Sequence, residues 1–161
     1  MTVQRPRDRG ARDGGLGRAP VERRQGHRLT PRPTDRLIEA WGPDRPTCLI
    51  EALTGLVESF ARVPEVTASR VLPLCGDAGG GEDILVGLLE EVVFALDVFS
   101  VVPIRFHLEE AEDGGVAGDM EVVTLTDVEV VGPVPKVVSH RGLSFGAAGD
   151  GGWACRAFVQ V

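Results

Sequence analysis

The sequence predicts an α+β domain in which two helices pack on a mixed or antiparallel sheet, and three observations carry that prediction. Two segments with helical spacing of apolar residues are grouped toward the front of the chain. Most strand-like runs follow them, so the order is not a repeating strand-helix-strand one. A D-G pair at Asp113-Gly114 separates two such runs and signals a hairpin between them.

The elements follow in order. Leu37 to Trp41 reads as a first strand. Asp44 then suits the N-cap of a helix over about 45–61, with Pro46 tolerated in its first turn. Leu49, Ala52, Leu53, Leu56 and Phe60 fall on one face of that helix. Val66 to Leu74 reads as a second strand and G-D-A-G-G-G (Gly76–Gly81) as a turn. The second helix, Glu82 to about Ser100, is the clearest element. Ile84, Leu85, Leu88, Leu89, Val92, Val93 and Leu96 recur at helical spacing, and Glu90, Glu91 and Asp97 take the wet side. Val101 to Glu110 reads as a strand whose start Pro103 demotes to an edge or a bulge. Val116 to Leu125, Val128 to Val131, Val134 to Ser139 and Trp153 to Val161 complete the strands.

The chain has 161 residues and suits one domain. Residues 1–26 are rich in Arg and Gly and poor in apolar side chains, which predicts a disordered arm, with the folded domain over 27–161. The net charge of −7 is unevenly spread. Positions 1–28 carry about +5, leaving about −12 on the rest. So acidic a domain repels a phosphate backbone, and free nucleic-acid binding by it is disfavoured. The arm reads as a leader, although its charge also suits RNA or an acidic partner. No apolar run is long enough to span a bilayer. Cys48, Cys75 and Cys155 form no C-x-x-C and no even framework, which fits a reducing cytosol.

Several groups imitate chemical sites. Gly76–Gly81 precedes a helix but lacks the Lys-Ser/Thr ending of a phosphate loop, and Glu82 and Asp83 bring the wrong charge. Ser139 and His140 are adjacent on a strand and so point to opposite faces. His27, His107 and His140 show no zinc-site spacing. Glu109, Glu110, Glu112 and Asp113 read as a solvated hairpin end. Lys136 is the only lysine in a chain that otherwise uses Arg, so it is either what chance leaves or a compact point charge kept for a partner.

Five segments, in order and at matching spacing, resemble the archease family. They are D-x-x-I-E-A-W-G-P (Asp35–Pro43), C-L-x-E-A-L-x-G-L-V-E-S-F (Cys48–Phe60), E-D-x-L-V-x-L-L-E-E-V-V-F-x-L-D (Glu82–Asp97), V-G-x-V-P-K-V-V-S (Val131–Ser139) and the closing W-x-C strand (Trp153–Val161). The resemblance is to its actinobacterial branch. It implies a fold built around a strand-helix-strand-strand module, and a cytoplasmic, non-catalytic accessory protein of the RtcB-type RNA ligase. Such a protein promotes guanylylation and turnover in tRNA splicing or RNA repair, touches tRNA only indirectly and needs no membrane. A protein-binding module without ligase activation, or a chaperone of a tRNA-modifying enzyme, is the alternative. The resemblance also implies a Ca²⁺ or Mg²⁺ site at Asp35, Gln160 and Val161, with Lys136 a contact for the partner. Three departures weaken that site: Arg32 and Gln160 stand where the family has His and Asp, and Arg141 replaces a further His. Hard cations want several charged oxygens, so the site is expected to be weak, with Arg32 or Arg141 free to pair with Asp35 in place of an ion.

Overall fold

The computed structural model describes residues 24–63, 65 and 68–161. The predicted arm lies, as far as residue 23, outside the described residues. Among the described residues there are two α-helices, ten strands and one 3-10 turn (Leu125–Asp127), and every strand pairing among them is antiparallel. The α+β expectation therefore holds, with the sheet question settled as antiparallel rather than mixed.

A five-stranded sheet is built from β1 (Gly26–Pro31), β2 (Asp35–Gly42), β8 (Val137–Val138), β9 (Ser144–Ala147) and β10 (Trp153–Gln160). Its order is β1-β2-β10, with β8 and β9 sharing the far edge of β10. A three-stranded sheet runs β4-β6-β5, from β4 (Arg70–Gly76), β6 (Val116–Thr124) and β5 (Val101–Glu110). β3 (Ala61–Arg62) and β7 (Glu129–Val130) form a short ribbon. Helices α1 (Arg45–Glu58) and α2 (Gly81–Phe99) each touch both larger sheets and close one apolar core. Among the described residues that core buries no charged or polar side chain.

Local chemistry explains most boundaries. Asp44 Oδ1 accepts the Thr47 amide at 2.8 Å and caps α1 as expected. The helix stops at Glu58, short of the predicted 61, because Ser59 Oγ donates back to the Leu56 carbonyl at 2.6 Å. The Phe60 carbonyl then leaves the helix to accept Val131 N–H at 2.7 Å. α2 ends at Ser100, whose φ of 54° is left-handed. Pro103 sits on an edge strand beside a register shift between Pro103 and Arg105, so both readings of that proline hold. At the hairpin tip Gly114 has φ 92° and Asp113 accepts the Gly115 amide at 2.9 Å.

Other boundaries move. The second strand starts at Arg70, not Val66, and residues 66 and 67 are outside the described set. The run expected over Val134–Ser139 is a strand only at Val137–Val138. β1 and β9 were not predicted: G-H-R-L-T-P and S-F-G-A lack the apolar alternation that marks a strand, and pairing with β2 and β10 makes them.

Candidate functional site

β2 and β10 lie side by side along their whole length, and their register sets Asp35 directly opposite Gln160. Val161 N–H donates to the Thr34 carbonyl at 3.2 Å, which holds the last residue against the same corner. Ile38, Ala40, Ala157 and Val159 are buried. By the two-residue alternation, Asp35, Leu37 and Glu39 on β2 and Gln160, Phe158 and Arg156 on β10 occupy the opposite face. The three residues of the predicted metal site are thus brought together, far apart though they are in sequence.

What fills the corner is a guanidinium. Arg32 Nε stands 2.8 Å from Asp35 Oδ1, and the same guanidinium lies 5.0 Å over the Phe158 ring. The turn between β1 and β2 fixes this placement: Arg32 N–H donates to the Asp35 carbonyl at 3.0 Å, and Arg36 donates to the Arg32 and Asp35 carbonyls at 2.9 Å each. The Arg32 contact is an ion pair without hydrogen-bond alignment, since the buried Oδ1 accepts no hydrogen bond. The Arg156 guanidinium also lies over the Phe158 ring, at 5.4 Å. Of the two arginines that the sequence offered to Asp35, Arg32 makes the pair. Arg141 instead sits in a turn, its N–H donating to Ser139 Oγ at 3.1 Å.

This donor set does not suit a hard dication. The sole carboxylate side chain of the predicted trio already faces a cation, and Gln160 supplies only a neutral amide. Among the described residues no group of three His, Cys, Asp or Glu side chains is disposed to hold a metal.

Lys136 adjoins the corner through its backbone, its N–H donating to the Gln160 carbonyl at 2.8 Å. Its exposed side chain lies on the rim of a cleft of about 610 Å³ between α2 and the 134–138 segment. The groups set aside on sequence grounds have structural partners. His140 meets Glu90 at 3.1 Å and Ser139 bonds within its own turn, so they form no nucleophile-base pair. The Asp83 carboxylate lies against Gly79 and Gly80, where a phosphate would sit. His107 pairs with Glu121 at 2.8 Å, and Glu110 with Arg45 at 3.3 Å.

Two arrangements were not read from sequence. His27 bridges two carboxylates of α1, with Nδ1 2.8 Å from Glu51 and Nε2 2.7 Å from Glu58. Burial lowers its pKa, but the hydrogen bonds to Glu51 and Glu58 outweigh that and hold it above the ordinary value. Glu51 and Glu58 are seven positions apart, two helical turns, which is the one sequence signal for this brace. Cys48 and Cys155 also meet in the core, where the Cys48 thiol and burial together push the Cys155 thiol up.

The described residues therefore form a small two-helix α+β domain with an apolar interior and its charged groups on the surface. Comparison with known sequences supplies the family: the chain belongs to the archeases. The Archease protein family matches over residues 27–161. The chain is similar to proteins described as "Probable protein archease" in two strains of Mycobacterium tuberculosis. In each case the two are 37% identical over 138 residues, covering 84% of this chain and 75% of the relative. The fold is similar to the solution structure of Methanobacterium thermoautotrophicum protein 1598, with a TM-score of 0.60 at 17% identity, covering 84% of this chain and 99% of that one. It is also similar to a Thermotoga maritima crystal structure described as an archease and possible chaperone. That match has a TM-score of 0.56 at 14% identity, over 84% of this chain and 100% of that one.

Proposed function

We propose that this chain is a non-catalytic, cytoplasmic accessory protein that promotes guanylylation and turnover of an RtcB-type RNA ligase in tRNA splicing or RNA repair. It reaches RNA only through that partner. Family membership supports the reading, and one observation carries it at the level of residues. Asp35, Gln160, Val161 and the backbone of Lys136 meet at one surface corner, so a partner would engage them as a unit. In this reading Lys136 contacts the partner, and Ca²⁺ or Mg²⁺ binding at the corner is weak because Arg32 supplies the positive charge from within.

The Arg32–Asp35 pair favours a second reading, a protein-binding module or chaperone of a tRNA-modifying enzyme that no longer activates a ligase. Multiple-turnover ligation by the ligase of the same genome, with and without this protein, separates the two. The first reading expects several-fold more product per ligase, lost with Lys136→Ala. No stimulation, even by a Gln160→Asp variant, removes ligase activation and leaves the second.

A further inference from the structure

Among the described residues, none covers the outer face of α2. Ile84, Leu88, Leu89 and Val92 point into the core, and the opposite stripe leaves Phe94 and Val98 each 52% exposed. Val137, across the cleft from that stripe, is also 52% exposed. Phe94 stands as a ridge between two hollows. One is the cleft of about 610 Å³ beside Lys136, and the other is a groove of about 580 Å³ toward the end of β4, floored by Gly87.

Gly87 is the second observation. A glycine inside a helix weakens it relative to alanine, and is kept where packing requires it. Packing does not require it here, because a Cβ at Gly87 would meet nothing within 4 Å. What the glycine does is flatten the helix surface beside Phe94, so that another backbone can come close.

Charge decides what covers the face. Asp83, Glu90, Glu91 and Asp97 lie along it, against Lys136, the single cation among the described residues of the rim, and His140 beside Glu90, so acidic groups outnumber basic ones there. A second copy meeting it face to face would set two acidic rims together. An anionic lipid surface or a phosphate backbone would be repelled. A polypeptide with apolar anchors and flanking arginines or lysines satisfies both the ridge and the rim. Two grooves running beside one helical ridge fit a helix packed ridge into groove.

We propose that the outer face of α2, centred on Phe94 and Gly87, docks a basic amphipathic helix of a partner protein. This deepens the accessory-protein reading and rests on it only in taking the partner to be a protein.

The probe is a synthetic amphipathic peptide of about five helical turns, leucine on one face and arginine beside it, titrated into the ¹⁵N-labelled protein. Amide shifts are expected within 75–78, 83–98 and 134–138, with an otherwise identical glutamate-flanked peptide binding at least ten-fold more weakly. Phe94→Ser should lose binding ten-fold or more. Gly87→Ala should raise the melting temperature yet weaken binding several-fold, which a purely structural role for Gly87 does not allow. Shifts elsewhere, equal binding of the acidic peptide, or Gly87→Ala that binds as well as wild type overturns the proposal. So does a dimer in sedimentation velocity that Phe94→Ser disperses, since the occupant is then a second copy. A protein that binds the peptide here and leaves the ligase unstimulated sinks the ligase reading alone.

Discussion

At the scale of single residues, Arg32 decides the character of the Asp35 corner. Its guanidinium is fixed by the turn, by Phe158 and by Asp35, and a dication would have to displace it. Calorimetric titration with Ca²⁺ is expected to give little heat for the native protein. Arg32→His combined with Gln160→Asp should give a clear isotherm and a melting temperature that rises with millimolar Ca²⁺. Tight native binding would show that Arg32 yields its place. His27 makes a second residue-scale prediction. Its pKa is raised in the fold, so its brace contributes fully below about pH 6.5 and is lost as pH climbs through the raised value. The melting temperature should therefore fall as pH rises from about 6.5 through the raised value, and fall less in His27→Gln. The meeting of Asp35 with Gln160 was legible only through the family resemblance, since nothing in composition ties residues so far apart. The choice of Arg32 over Arg141 was not legible at all. It depends on the turn at 31–35 folding Arg32 back over Asp35.

At the scale of elements, the sequence was readable where an element carries its own signal. α2 shows continuous helical spacing, and its bounds differ from the prediction by one residue at each end. α1 was equally plain at its Asp44 cap, and less so at its end, where a side-chain bond to the backbone terminates it. β1 and β9 owe their extended form to neighbours, so a local reading passes over them. The two helix ends make opposite predictions in chemical denaturation. Asp44→Ala removes the cap bond and should cost about 1 kcal/mol. Ser100→Gly relieves a left-handed serine and should add up to about 1 kcal/mol, with Leu125 N–H still bonding the carbonyl of residue 100.

At the scale of the whole molecule, the acidic domain and its apolar interior place recognition on the surface, and both proposals depend on contacts with another protein. The Asp35 corner and the α2 face are separate in sequence, yet Lys136 stands beside both. The position of β10 has a consequence in time. It pairs with β2 from Asp35–Gln160 to Gly42–Trp153, joining segments that most of the domain separates. The β5–β6 hairpin needs only its own short turn. Closing so long a loop is entropically slow, and until it closes β2 keeps an open edge that other chains can pair with. Pulse-labelled hydrogen exchange during refolding should find β6 amides protected before the amides that bond β2 to β10, and aggregation should be worst in the interval between. A chain of this topology is itself vulnerable while it folds, and the hazard ends when β10 slots into the middle of the sheet.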